Sequence, residues 1–282
     1  EDWGRNGPLE TLFTHGHLYL LNLEPTVAFK VTDSLSVGVG LNVYYGTLNI
    51  ERKQVLGAPP TPLGNFRLHG TDTKFGASPG VLWKIDEHNT VAAFYHSPVT
   101  LDISGNADIT GRGLPPIGPS HVVAPIHIPQ NAGIGYALRP IAPLKIETDV
   151  VWTNWSTLQG IRIKSPNTVF NGSTIVTKYH DTWSFRLGTQ YDLNRNWALR
   201  GGYAYGTSAA PASTFSPLVP DSNYHIFSAG LGYSTNAWSL DFAYLFILRE
   251  TRNIGGGINA PAVVGKYNTN LQGLILNLGI KM

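Results

Sequence analysis

Along most of this chain apolar and polar residues alternate one by one, the period of two that puts successive side chains on opposite faces of an extended strand. No stripe with helical spacing runs longer than two turns. The clearest ladder carries Trp238, Leu240, Phe242, Tyr244, Phe246 and Leu248 on one face. Others are Leu35/Val37/Val39/Leu41/Val43/Tyr45, Trp183/Phe185/Leu187/Thr189/Tyr191, Trp197/Leu199/Gly201/Tyr203/Tyr205 and Phe227/Ala229/Leu231/Tyr233. Turn residues divide the pattern into about eleven strands, and the connections alternate between short and long. Short ones are Thr32-Asp33-Ser34, Asp86-Glu87-His88-Asn89, Arg139 to Pro143, Leu193 to Asn196 and Ser234-Thr235-Asn236. Long ones, rich in Pro and Gly, fall near 54–66, 110–126, 164–178, 206–222 and 252–266.

The faces opposite the apolar ladders carry mostly Gly, Ser, Asn and Ala, and the ladders end in Trp83, Tyr95, Trp152, Trp197 and Trp238. A soluble β-sandwich or lipocalin-like barrel would turn its apolar ladders inward and charge the outer face. A barrel in lipid does the reverse, because every backbone N–H and C=O must be paired there, the outer face must be apolar, and Trp and Tyr settle at headgroup level. The pattern therefore predicts an all-β, antiparallel transmembrane β-barrel, one domain over 1–282, in the outer membrane of a Gram-negative cell.

Composition sharpens this. Only 13% of the 282 residues are charged, against roughly 25% in ordinary soluble domains. A net charge of +2 offers no basic stripe for nucleic acid, and the absence of Cys removes disulfides and thiolate metal sites. No apolar run approaches 18 residues, so no helix is expected to span a membrane. The chain opens Glu1-Asp2-Trp3 without Met or an apolar signal core. If short turns face the periplasm, the first residues lie outside and the strand count is odd. That parity predicts an odd number of strands before Glu1, with residues 1–18 a remnant of an extracellular loop.

Several segments resemble the FadL/TodX family, outer-membrane transporters of fatty acids and other hydrophobic compounds. They are Asn22 to Val31 followed by Leu35 to Gly40, His69-Gly70-Thr71-Asp72 leading to Gly76, Tyr95 to Val99, Leu101 to Ala107, Trp152 to Ser156, Asp181 to Gly188, and Gly202 to Tyr205 with Leu218 to Ser222 after it. The resemblance implies a fourteen-stranded barrel with an N-terminal hatch, so the hatch and first three strands would precede Glu1. It also implies passive uptake with lateral release into the membrane, no cofactor, and a hydrophobic ligand whose carboxylate meets cationic side chains. The family's basic position in a Glu-Arg pair falls on Arg52, and a second falls near Lys178. Tyr44, Phe66, Phe94 and Phe215 are expected to line the apolar route. The C-terminus departs from the family, ending Gly279-Ile280-Lys281-Met282 where an aromatic residue is usual.

Each candidate has a structural competitor. Arg52 can pair with Glu51 or another wall acid, Lys178 can be a solvated loop lysine, and the aromatics can fill the lumen. Arg162 and Lys164 suit lipopolysaccharide phosphates near the outer rim, as would any exposed cation. His15-Gly16-His17 lacks a carboxylate at a supporting spacing for zinc. His96 and Ser97, adjacent on a strand, point to opposite faces and cannot act as base and nucleophile. The expectation is thus a monomeric, non-enzymatic transporter of long-chain fatty acids, surrounded by lipid and lipopolysaccharide. Small aromatic hydrocarbons are the alternative cargo, and an adhesin-type barrel the alternative role. A polar porin would need inward ladders of opposed charge, for which the inward faces look too poor in charge.

Overall fold

The computed structural model describes residues 14–55, 63–111, 114–217, 219–255 and 263–280. The strands are β1 (His15–Leu23), β2 (Thr26–Lys30), β3 (Leu35–Val55), β4 (Leu63–Lys84), β5 (Asn89–His96), β6 (Val99–Gly111), β7 (Leu114–Ile128), β8 (Asn131–Ile141), β9 (Leu144–Thr153), β10 (Gly160–Arg162), β11 (Thr174–Val176), β12 (Thr182–Asp192), β13 (Trp197–Gly206), β14 (Tyr224–Ser234), β15 (Trp238–Arg249), β16 (Arg252–Ile254), β17 (Gly265–Tyr267) and β18 (Asn270–Ile280). Trp155–Thr157 and Ala212–Thr214 each form a single 3-10 turn.

One antiparallel sheet of fourteen strands dominates, with eleven on its main path in the order β1-β3-β4-β5-β8-β9-β12-β13-β14-β15-β18. β2 extends β1 along β3, and the β6–β7 hairpin branches from β4. Prolines mark the bends: Pro25 separates β1 from β2, Pro98 separates β5 from β6, and Pro129 separates β7 from β8. Proline has no N–H for the ladder, so the pairing breaks and redirects there.

Short turns are closed by one side chain each. The Thr32 hydroxyl accepts the N–H of Ser34 and Leu35, Asp86 that of His88 and Asn89, Asn194 that of Asn196 and Trp197, and Thr235 that of Ala237 and Trp238. This is the Asx and ST-turn chemistry the residue types favour.

Strand extends into two of the expected long connections. β3 and β4 run 21 and 22 residues and leave only 56–62 between them, and β7 occupies most of 110–126. His15–Leu18, expected within a loop remnant, already pairs with β3, whereas residues 1–13 lie outside the described residues.

The apolar ladders face outward: Val39, Leu41, Trp183, Phe185, Leu199 and Phe242 are all exposed, as a lipid-facing surface requires. The inner face of β3 and β4 is buried instead. Between the pairs Thr71↔Ser104 and Gly80↔Phe94 the wall ladder is interrupted. There the Asp72 carboxylate takes the Asp102 N–H at 2.7 Å, and the Ser97 hydroxyl takes that of Ala77 at 2.9 Å. The lower part of β6 thereby leans inward, and Leu101 and Ile103 lie over Gly46, where a Cβ would come within 2.7 and 3.2 Å of their methyl groups. Glycine at this position makes room for that packing.

Candidate functional site

Alternation along β3 places Asn42, Tyr44, Leu48, Ile50 and Arg52 on the inner face, and their partners on β4 include Leu68 opposite Ile50 and Phe66 opposite Arg52. Tyr44, Leu48, Phe66 and Leu68 form one buried cluster with Leu101, Ile103, Ala107 and Ile109 of β6 and Val122, Ala124 and Ile126 of β7, and Ile50 packs against it. The chain between β9 and β12 completes it. β10 and β11 pair as a small hairpin, and an antiparallel bridge joins Lys164 to Val123 of β7. Ile163 and Phe170 are thus set onto the barrel wall, with the Phe170 ring 6.1 Å from that of Phe66.

Between wall and hairpin lies a cavity of about 70 Å³ lined by Arg52, Gln54, Phe66, Leu68, Ile163 and Phe170. The Arg52 guanidinium lies over the Phe66 ring, 4.9 Å from its centroid, and its Nε is sealed from solvent without a hydrogen-bond partner. Glu51 does not supply one. It is the neighbouring residue on the opposite face, 3.6 Å from Arg67. A half-buried guanidinium whose Nε is sealed and unused is a costly arrangement that an incoming anion would satisfy.

The other predicted residues divide. Tyr44 and Phe66 belong to the buried cluster, which Arg52 meets through the Phe66 ring. Phe94 is on the inner face farther toward the short-turn end, against Gly133 and 5.2 Å from the His96 ring. Phe215 is fully buried elsewhere, 4.5 Å from the Tyr267 ring and beneath Arg252, which also bonds Ser208 and the Ala210 carbonyl. Lys178 is exposed on a left-handed backbone, φ 49°, with its N–H on the Gln159 carbonyl. It does not line the Arg52 cavity. Ile163 and Phe170 were missed because they fall in a segment whose polar and turn residues read as loop. The apolar alternation of Ile161 and Ile163 against Ile175 was the available signal.

The hairpin is tethered at its base by Asp181, whose carboxylate accepts the Trp152 indole N–H, the Asn154 amide and the Ser156 backbone N–H, each at 3.0 Å. Burial pushes this carboxyl up, but the bonds from Ser156, Asn154 and Trp152 outweigh it and hold it below its ordinary value.

Across the sheet the inner face of β9 and β12–β15 has a different character. Gly188, Gly202, Ala204 and Ser228 form its floor, and an open trough of about 490 Å³ runs over them. Lys145 pairs with Glu147 at 2.7 Å, Arg200 with Asp241 at 2.5 Å, and Arg186 donates to Ser184. The inward faces are therefore not poor in charge, contrary to the expectation from composition. A second charged group, Lys74 with Asp72 at 3.5 Å and Asp102 at 3.1 Å, lies on the inner side of β4 and β6.

His96 bonds Asn131 and Ser97 bonds the Ala77 N–H, so neither addresses the other. His17 Nδ1 lies 3.3 Å from His15 Nε2.

Residues 5–278 match the family described as outer membrane protein transport protein (OMPP1/FadL/TodX). The chain is 26% identical over 260 residues to the long-chain fatty acid transport protein of Escherichia coli K12, an alignment covering 78% of this chain and 57% of that one. It spans little more than half the length of such relatives. Among solved structures, a Pseudomonas aeruginosa FadL homologue superposes with a TM-score of 0.83 at 21% identity, covering 98% of this chain and 69% of that one. The Ralstonia pickettii toluene transporter TbuX gives 0.71 at 17%, covering 94% and 68%.

Proposed function

Since the chain belongs to the OMPP1/FadL/TodX family of outer membrane transport proteins, we propose that it takes up long-chain fatty acids passively and holds the carboxylate against Arg52. The observation that carries this is the sealed, unpartnered Arg52 Nε in a cavity of about 70 Å³. A carboxylate brings the two acceptor oxygens a guanidinium fork requires, and in a water-excluded pocket such a bond is about twice as strong as a neutral one. The cavity is sized for a headgroup. A benzene ring occupies an apolar cavity of about 150 Å³, so an aromatic hydrocarbon would need twice the space and would leave the guanidinium unsatisfied. The alkyl tail lies outside this cavity, and its entry requires the β10–β11 hairpin to shift. No cofactor or catalysis enters the scheme, and cargo moves down its own gradient as a monomeric barrel releases it sideways.

The test is competition on the detergent-folded protein with a fluorescent long-chain fatty acid as probe. Displacement by oleate and not by toluene is expected. Displacement by toluene alone would move the cargo to aromatic hydrocarbons, and absence of probe binding would favour a surface-partner role for the long connections.

A further inference from the structure

The strand register aligns polar residues that are scattered in the sequence. His17 pairs with Asn49, Asn49 with His69, His69 with Asn106, and Asn106 with His121, one row across β1, β3, β4, β6 and β7. Direct cross-strand partners share a face, and this is the outer one, since Leu41 and Tyr45 of β3 point the same way as Asn49 and are exposed. His69, Asn106 and His121 are exposed as well.

The height of the row is fixed by what lies beneath it. The next row toward the membrane contains Tyr19, the following one Leu21 and Tyr45, and the one after that Leu23 and Phe75. Tyr19 and Phe75 are 67% and 66% exposed, which identifies an aromatic girdle over a lipid-facing band. The histidine row therefore sits just above the girdle, at the level of lipid headgroups.

Fixed charge around the row leaves a small positive excess. On the far side of it from the membrane, His15 pairs with Glu51, Glu51 with Arg67, and Arg67 with Asp108, and Lys53 shares that face of β3. Lys164, bridged to Val123, ends the Tyr19 row on the same outer face. Glu51 and Asp108 thus offset two of the four cations Lys53, Arg67, Lys164 and Arg162, the last exposed on the same face two residues before Lys164. The variable charge on this face is carried by His15, His17, His69 and His121. Imidazole as a class changes charge between about pH 5 and 8.

We propose that this row is a contact for the phosphate groups of outer-leaflet lipopolysaccharide, weak at neutral pH and strengthened by acid. The His121 Nε2 lies 3.0 Å from the Ser104 hydroxyl and the His17 ring lies 4.9 Å from that of Tyr19. These contacts hold the two rings along the wall, while exposure leaves the row open to a headgroup. Protonation turns each imidazole into a double N–H donor suited to phosphate oxygens. The site shares no residue with the Arg52 cavity and rests on the outer-membrane location, so it stands or falls independently of the fatty-acid reading.

The test measures binding of purified rough lipopolysaccharide to the folded protein in a neutral detergent at about pH 7.5 and about pH 5.5, beside the same lipopolysaccharide after enzymatic dephosphorylation. Wild-type affinity is expected to rise about tenfold on acidification, for the phosphorylated lipid only. The triple substitution His17→Gln, His69→Gln, His121→Gln should remove that rise and leave fatty-acid binding unchanged. An equal rise in the triple variant, or for dephosphorylated lipid, would overturn the proposal. Should the triple variant fail to fold, the exposed single change His69→Gln carries the test, with a reduced rise expected and an undiminished one counting against it.

Discussion

Arg52 is a cation enclosed by Phe66, Leu68, Ile163 and Phe170 with one donor unused. Such a group costs stability in the empty protein, because desolvation is not offset by a partner. Replacing it by a hydrophobe of similar length should therefore leave the fold unharmed while removing the ligand's anchor. For Arg52→Met we expect a melting temperature equal to or above that of wild type, with fatty-acid affinity reduced by about 1.5–3 kcal/mol, roughly tenfold to a hundredfold. A melt and a titration on the same preparation check both halves. Loss of stability together with loss of binding would make Arg52 a wall residue. Asp181 is the opposite case, a carboxylate held by three donors. Its folded pKa lies below the unfolded one, so its contribution is complete above the ordinary carboxylate range and is lost as pH falls through the lower folded value. Asp181→Asn should lower the melting temperature by a few degrees at neutral pH, a difference that disappears in strong acid.

The β10–β11 hairpin turns a wall position into a closed cavity, and Phe170 is its main apolar contact with the wall. Truncating a buried Phe costs on the order of 3 kcal/mol, and here the cost falls on the closed state of the hairpin. Phe170→Ala is expected to speed dissociation of a bound fatty acid by at least about tenfold while the melting temperature changes little. Stopped-flow displacement reads the rate, and an unchanged rate would mean that the hairpin does not gate the site. At this scale much was legible in the sequence. Alternation located the lipid-facing ladders, and Thr32, Asp86, Asn194 and Thr235 marked the short turns they close. The segment around 114–119 was misread because Pro115, Pro116, Gly118 and Pro119 signal a loop. It is strand because β7 meets β6 through register shifts near Ala107 and Ile109, where missing N–H groups are tolerated. Arg52 could be named because the resemblance to the FadL/TodX family carried that family's Glu-Arg pair onto Glu51 and Arg52. The residues that close over it could not, since they reach it from over a hundred positions away through the bridge at Lys164 and the bonds of Ser165 and Asn167 to β7.

Across the whole molecule the inner surface has two sectors, a packed apolar one on β3, β4, β6 and β7, edged by the Lys74–Asp72–Asp102 ion pairs, and an open, charge-paired one on β9 and β12–β15. An amphiphile suits such a division, for its tail favours the first sector and water must fill the second wherever nothing else does. The chain has no cysteine, so single cysteines report on each sector without background. Nothing lies within 4 Å of a side chain built at Gly188, which faces the trough, whereas Ala107 is fully buried. Leu187, beside Gly188 on β12, is exposed on the lipid side. A small hydrophilic methanethiosulfonate reagent should therefore modify Gly188→Cys readily and leave Ala107→Cys and Leu187→Cys largely untouched, because the reactive thiolate forms only where water reaches. Mass spectrometry of the labelled protein in liposomes distinguishes the patterns. Equal labelling at Gly188 and Ala107 would mean that the apolar sector is as wet as the polar one, and a carboxylate at Arg52 would then lose the exclusion of water on which its strength depends.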